Sequence, residues 1–360
     1  MKKYRKHSLA AAAALFGIGV LLSSCSGVGD PKGDGYPYHH MERGFRNPAN
    51  SPVREKDAAG SFFPAFLWQQ LTQGQPEIPE NHLIPAAEAR QALSDVNGDS
   101  ISWIGHSTYL VRLDGVTVLT DPIFSKRASP VTFAGPKRVP PFGLDLEDLP
   151  QIDVVVISHA HYDHLDTRTL DRLPNPQNIT AIVPLGLGGY FTKRGYGKVH
   201  EVDWYDEIVL PARSGDFRLT AYPAIHWSNR SPFDRNRTLW MSYGFSAGGL
   251  SVYHTGDTAS HPDAFIKIGR HMAQHHQGCD IGLISVGAYE PRAFMMSSHV
   301  DPEGGVQIGR EVGCSRMTPM HWGTFVLAME PFAQPRARFL EAAGEQAIVM
   351  KIGETISLKK

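Results

Sequence analysis

The sequence predicts an α/β protein with two sheets face to face and helices over both outer sides, a four-layer αββα sandwich. Three observations lead there. The Asp114-Gly115 turn joins two apolar runs, Thr108 to Leu113 and Val116 to Leu119, as an antiparallel hairpin. The unbroken run Val154-Val155-Val156-Ile157 suits a central strand buried on both faces. Helical segments alternate with further strand candidates, so hairpins and crossover helices must share the sheets.

Taken in order, the chain of 360 residues opens with Lys2, Lys3, Arg5 and Lys6 ahead of an apolar run from Leu9 to Leu22. That run falls short of the roughly 20 residues that span a membrane as a helix, and it reads as an export signal. Ser23 and Ser24 then lead directly into Cys25, as in a bacterial lipoprotein processing site. Cleavage there makes Cys25 the lipidated start of the mature chain, anchored by more acyl chains than the single one that binds only reversibly. An uncleaved signal anchor is the alternative. Ser26 after the cysteine, in place of aspartate, is the pattern of lipoproteins sorted to the outer membrane, facing the periplasm; an organism with a single membrane would display the protein outside instead.

Three parts are expected: a signal peptide over residues 1–24, a tether and covering segment over 25–97, and a globular body over 98–360. In the covering segment Phe62, Phe63, Phe66, Leu67 and Trp68 form one apolar knot, expected in a short helix against the body, with membrane contact as the second reading. The body holds frequent short apolar runs, enough for one large core or two fused halves.

Beyond the hairpin and the valine run, strands are expected at Ile101 to Ile104, Thr180 to Val183, Lys198 to Val202, Phe217 to Ala221, Trp240 to Phe245, Leu250 to His254, Ile281 to Val286 and Arg316 to Pro319. Helices are expected at Asp166 to Asp171, Leu187 to Lys193, Pro262 to His271, Pro302 to Glu311 and Arg338 to Ala343. Pro302 after Asp301 marks a helix start, where the missing N–H would have no partner anyway.

Formal net charge is −1 with no basic stripe, which argues against nucleic acid as a partner. Of three cysteines, Cys279 and Cys314 remain besides Cys25, too few for a disulfide framework. Both are read as separate buried small hydrophobes, with a single bridge as the lesser alternative.

The chemistry concentrates directly after the valine run, in Ser158-His159-Ala160-His161-Tyr162-Asp163-His164. Residues two apart on an extended segment face the same way, so His159 and His161 can share one metal ion while a turn redirects Asp163 and His164 to a second. Burying three imidazoles and a carboxylate without a metal or partners would cost their desolvation. Three later strand ends each offer one more donor: His226, Asp257 and His321. Gly256 permits the close turn that brings the Asp257 carboxylate in.

The His159-Ala160-His161-Tyr162-Asp163-His164 string matches the signature of the metallo-beta-lactamase superfamily. Within it the chain resembles the N-acylphosphatidylethanolamine-hydrolysing phospholipase D family. That narrower resemblance rests on Gly105-His106-Ser107-Thr108, Leu119-Thr120-Asp121-Pro122-Ile123-Phe124, Arg127-Ala128-Ser129-Pro130, Gly135-Pro136-Lys137-Arg138 and Val183-Pro184-Leu185-Gly186. It continues through Gly287-Ala288-Tyr289-Glu290-Pro291-Arg292, His299-Val300-Asp301-Pro302-Glu303 and His321-Trp322-Gly323-Thr324-Phe325, and so spans most of Ser100 to Pro331.

The resemblance implies two zinc ions: His159, His161 and His226 on the first, Asp163, His164 and His321 on the second, and Asp257 bridging. It implies hydrolysis of a phospholipid phosphodiester, with N-acylphosphatidylethanolamine cleaved to N-acylethanolamine and phosphatidate. The export signal departs from the membrane-associated animal members, so location and natural lipid are not carried over. Asp163, Asp257 and His321 are the candidate catalytic residues. Asp257 is the first choice for proton transfer, although two bridged cations make it a poor acid, and His106 or a metal-bound water is the alternative. Asp121 is a candidate to orient a liganding imidazole, or else to cap the turn at Pro122. Tyr289 and Arg292 are candidates for the pocket mouth, with an internal Arg292 to Glu290 pair as the other reading, and Trp227, Trp322 and Phe325 are expected behind the metal loops. Lactone or beta-lactam hydrolysis by the same centre is the competing activity, and a non-catalytic metal-binding lipoprotein scaffold the non-enzyme alternative. The oligomeric state is not readable.

Overall fold

Alternation along single strands decides the layers. In the computed structural model Trp103, Tyr109, Val111, Val154 and Val156 face one apolar core, while Ile104, Leu110, Val155 and Ile157 face another. Side chains alternate with a period of two, so a strand that is apolar at every position is buried on both sides. Each fully buried Val, Ile or Leu contributes about 1.5–3 kcal/mol, enough that no other arrangement of Val154–Val156 competes. The structure describes residues 29–55, 58–72 and 74–358. The export signal and Cys25 lie outside the described residues.

The first sheet has seven strands, in the order Thr355–Ser357, Ser100–Gly105, Thr108–Leu113, Val116–Thr120, Val154–Val156, Thr180–Pro184 and Lys198–Val202. Its strands pair antiparallel as far as Val116–Thr120 and parallel beyond. The second has six, in the order Cys314–Met320, Cys279–Ser285, Leu250–His254, Met241–Ala247, Asp216–Pro223 and Glu207–Pro211. Here the first two pairings are parallel and the others antiparallel.

The inner faces of both sheets meet in the larger core, where Tyr109 and Val111 join Phe217, Tyr243 and Phe245. Helices Ala264–His275, Pro302–Val312 and Gln334–Ala343 cover the second sheet through Phe265, Ile308 and Phe339. Helices Ala86–Asp95, Thr167–Leu170 and Gly188–Thr192 cover the first through Ala89, Leu170 and Phe191. This is the expected αββα sandwich. The helix Pro302–Val312 carries the expected start: Asp301 accepts from the Gly304 amide, Pro302 follows, and Gly313 in the left-handed region ends it.

The segment expected as a tether is more structured than its composition suggested. Helix Ala58–Thr72 seats Phe62 on Phe294, ring centroids 4.4 Å apart, while Trp68 is exposed. The helix Ala86–Asp95 and the edge strands Glu207–Pro211 and Thr355–Ser357 went unread in the sequence, because each is short and only partly apolar. Cys279 and Cys314 are corrected: buried as expected, they form one disulfide. They stand opposite each other in the register of two neighbouring parallel strands, with Cα atoms 4.4 Å apart. Only the sheet brings them together across 35 residues. Among the described residues no helix is long and apolar enough to cross a membrane.

Candidate metal centre

The C-terminal ends of Val154–Val156, Asp216–Pro223, Leu250–His254 and Cys314–Met320 deliver His159, His226, Asp257 and His321 to one place, the edge where sheets of this kind carry their sites. His159 Nε2 lies 2.8 Å from His161 Nδ1, and His226 Nε2 lies 3.2 Å from the same atom. Beside them Asp163 Oδ2 lies 3.3 Å from His164 Nε2 and 3.2 Å from His321 Nε2. Asp257 Oδ2 reaches both groups: 2.9 Å to His321 Nε2, 3.2 Å to His164 Nε2, and 3.9 Å to His159 Nε2 and to His226 Nε2. All seven side chains predicted from the sequence are brought together.

Neighbouring groups decide which nitrogens point inward bare. A carboxylate only accepts, so His164 Nδ1 donates to Asp121 Oδ2 at 2.8 Å and leaves Nε2 for the centre. His226 Nδ1 likewise donates to the Ser298 carbonyl at 2.9 Å. Ser158 Oγ donates its one proton to Asp121 Oδ2 at 2.7 Å and so accepts from His159 Nδ1 at 2.9 Å. His159 Nε2 and His226 Nε2 therefore present lone pairs to His161 Nδ1, and one proton on that atom could bridge only one of them. His164 Nε2, which faces the centre, and Asp257 Oδ1 are buried with no hydrogen-bond partner among the described residues. A cation between these lone pairs satisfies what protons cannot, and nitrogen with carboxylate donors is a set that zinc accepts.

The electrostatics agree with that fit. Burial, then the neighbouring imidazoles, holds His159 and His161 well below the ordinary histidine range. Burial takes His226 and His106 down to about 4. Burial opposes charge on Asp163 and Asp257 too, but the surrounding histidines, His164 foremost, outweigh it and keep both carboxylates ionised. His164 is raised well above its ordinary value and His321 to about 9, because the carboxylates, Asp257 foremost, outweigh burial. Two ionised, buried carboxylates thus draw positive charge into the cluster, onto His164 and His321 or onto a cation held between them.

His106 donates from Nε2 to Asp163 Oδ2 at 2.9 Å and is fully buried in a left-handed backbone turn, φ +56°. Asp121 takes the orienting role: besides His164 it accepts from the Ser158 amide at 2.6 Å. Tyr289 and Arg292 do not join the site. The Tyr289 hydroxyl donates to Gln334 at 2.6 Å, and the Arg292 guanidinium reaches the His299 carbonyl at 3.2 Å, with Asp301 at 3.9 Å. The internal Arg292 to Glu290 pairing is reduced to a backbone contact, Arg292 N to Glu290 Oε2 at 3.2 Å. Trp227 meets His161 edge-on at 4.4 Å and Phe325 meets His106 at 5.3 Å. Trp322 stacks on Trp103.

Four contributors were not singled out in the sequence. Ser158 joins Asp121 to His159. Asn47 from the covering segment accepts from the His226 amide at 3.0 Å and donates to its carbonyl at 2.8 Å. Arg230 Nη1 donates to the carbonyls of Ala160 and Leu165, both at 2.8 Å, tying the two ends of the ligand loop. His299, with Nδ1 buried and unpartnered among the described residues, lies 5.0 Å from His226 ring to ring. Ser158 and His299 left a signal, each as the first residue of a string, Ser158-His159-Ala160-His161-Tyr162-Asp163-His164 and His299-Val300-Asp301-Pro302-Glu303.

Fold and donor set define the class: a metal-dependent hydrolase on an αββα sandwich. The Beta-lactamase superfamily domain matches residues 116–322. The chain belongs to the metallo-beta-lactamase superfamily and, within it, to the family of N-acyl-phosphatidylethanolamine-hydrolyzing phospholipases D. It is 37% identical over 248 residues to N-acyl-phosphatidylethanolamine-hydrolyzing phospholipase D 1 of Caenorhabditis elegans, covering 67% of this chain and 68% of that one. An uncharacterised protein of Mycobacterium tuberculosis is 36% identical over 292 residues, 80% of this chain and 75% of its own. Among solved structures Igni18, a metallo hydrolase of Ignicoccus hospitalis, shares the fold with a TM-score of 0.53 at 20% identity, over 73% of this chain and 99% of that one.

Proposed function

We propose that the chain is a zinc-dependent phosphodiesterase of phospholipase D type that cleaves N-acylphosphatidylethanolamine into N-acylethanolamine and phosphatidate. The observation that carries this reading is a cavity of about 560 Å³ that includes His321 in its wall and is otherwise lined mostly by apolar groups, Trp322, Phe325, Leu327, Met329 and Phe332 the largest, with Gln69, Gln75 and Glu330 as its other polar side chains. Apolar walls beside a cluster of metal donors suit an ester whose phosphate reacts while its hydrocarbon stays out of water. Lactone or beta-lactam hydrolysis would need no such trough.

Two zinc ions, one held by His159, His161 and His226 and the other by Asp163, His164 and His321 with Asp257 shared, would supply an activated water and neutralise the non-bridging phosphate oxygens. The two carboxylates divide the remaining work. The Asp257 side chain is 2% exposed and Asp163 14%, so Asp163 is the one that meets incoming water and substrate. His106 holds Asp163 Oδ2, which leaves Oδ1 to take the proton of the attacking water. As the bond from phosphorus to the ethanolamine oxygen breaks, that proton passes to the leaving oxygen. Lipidation of Cys25 would keep the cavity at a membrane surface where such a substrate resides.

The test is product identification. Zinc-loaded full-length protein is incubated with N-acylphosphatidylethanolamine in mixed micelles and the products are resolved by mass spectrometry. N-acylethanolamine with phosphatidate is expected; free fatty acid or diacylglycerol overturns the reading.

A further inference from the structure

A second cavity, of about 650 Å³, lies against the ligand loop, and none of the seven converging side chains lines it. Tyr162, which stands between His161 and Asp163, forms part of its wall instead. Arg168, Lys193, Arg194 and Arg230 line it against one carboxylate, Asp166. Arg194 is paired with Asp171 at 2.7 Å. Arg168 gives its guanidinium to the carbonyls of Ser129 and Pro130 at 3.1 and 2.8 Å, and Arg230 to those of Ala160 and Leu165. A carbonyl satisfies a donor without cancelling its charge. Lys193 is exposed and unpaired among the described residues. Asp166 is committed to neutral donors, the Ser125 amide, the Arg168 amide and the Thr169 hydroxyl.

We infer that this cavity is a binding site for a phosphomonoester. Positive charge left over in a concave wall draws an anion. Planar guanidinium groups beside an ammonium suit a dianionic, tetrahedral group better than a single carboxylate, which one fork would meet. Arg230 is fixed by the rings of Tyr162 and Tyr190, 4.1 and 5.4 Å from its guanidinium, and the Tyr162 hydroxyl donates to its carbonyl at 2.7 Å. The volume exceeds a bare phosphate and leaves room for what the phosphate is attached to. Because Arg230 ties Ala160 and Leu165, a ligand on this wall acts on the loop that presents His161, Asp163 and His164. The site does not depend on which ester the metal centre cleaves.

Hydrogen exchange on the zinc-loaded full-length protein tests this, with glycerol 3-phosphate as the soluble probe and phosphatidylcholine vesicles containing phosphatidate as the lipid probe. A phosphate at the metal centre would protect the loops that carry His159 to His164, His226, Asp257 and His321 and leave residues 186–194 unprotected. The inferred site also protects residues 186–194, and in Lys193→Glu that protection requires about tenfold or more additional probe, the loss of one charge-assisted contact. Lys193 is exposed and unpaired, so the variant folds; Arg168→Gln gives an independent second removal of charge. Protection by both probes supports recognition of the phosphomonoester itself. Protection by vesicles alone assigns the site to a lipid headgroup, and by glycerol 3-phosphate alone to a soluble ligand. No protection of 186–194 by either probe, or protection unchanged in both variants, overturns the inference.

Discussion

Asp121 Oδ2 accepts from His164 Nδ1 at 2.8 Å and from Ser158 Oγ at 2.7 Å, so one carboxylate fixes the tautomers of two imidazoles, His164 directly and His159 through the serine. Asp121→Asn puts an amide where a carboxylate accepted from both groups. Zinc affinity is expected to fall about 10- to 100-fold, as on loss of other outer partners of liganding histidines. A competition titration against a chromophoric chelator reads this directly; affinity unchanged from the parent would show that His159 and His164 are oriented by something else.

Among the described residues Asp257 is the one whose oxygen lies within 4 Å of donors in both halves of the cluster. Asp257→Asn keeps the shape and removes the shared charge. Turnover is expected to drop by about a hundredfold or more, the scale of losing a preorganised electrostatic group, while thermal unfolding of the purified variant stays close to the parent. His159→Ala differs in kind: it is expected to lower bound zinc as well as rate, read by elemental analysis. Parental activity in Asp257→Asn at verified full zinc occupancy would remove the bridging role.

The reach of the sequence follows from the distance over which each feature is encoded. His159, His161, Asp163 and His164 are four donors within six consecutive positions after a valine strand, so both their identity and their placement were legible. His226, Asp257 and His321 were legible as donors at strand ends, because parallel strands of one sandwich must deliver their C-terminal ends to one edge. Asn47 and Arg230 act through backbone groups far away in the chain, and a side chain that recognises a carbonyl leaves no pattern in its own neighbourhood. Tyr289 and Arg292 were misplaced for the related reason that a motif fixes position along the chain but not the direction of a side chain. Cys279 and Cys314 depend on the register of two strands, which no local run of residues specifies.

That disulfide closes a loop with a sequence separation of 35 residues at the edge of the second sheet. Cross-linking restricts the unfolded chain, and for a loop of this length the chain-entropy estimate is about 3–4 kcal/mol. Cys279→Ala with Cys314→Ala is expected to lower unfolding stability by that order, measured by urea denaturation of the two proteins. Reductant should shift the midpoint of the parent and leave the double variant unmoved. A parent insensitive to reductant under unfolding conditions would argue against the bond.

Asp203 fastens the covering segment to the body, accepting from His39 Nε2 at 2.5 Å on one oxygen and from His40 Nε2 at 2.6 Å on the other. Burial resists its ionisation, but the bonds from His39 and His40 and the Trp204 amide outweigh that and hold the carboxyl below its ordinary value of 3.8. A carboxyl depressed in the folded state contributes stability that is complete above its unfolded pKa and is lost as pH falls through the folded one. The fastening is therefore expected to persist down to about pH 4, near the unfolded aspartate value, and to fail only below it. Because Asn47 on the same segment bonds the His226 backbone, release should loosen that metal loop as well. Limited proteolysis, with an acid-active protease at the acid end and a neutral protease at neutral pH, is expected to cut residues 29–55 of the parent only at the acid end, and those of Asp203→Asn at both. Equal cleavage of the two proteins at neutral pH would mean that Asp203 does not hold the segment.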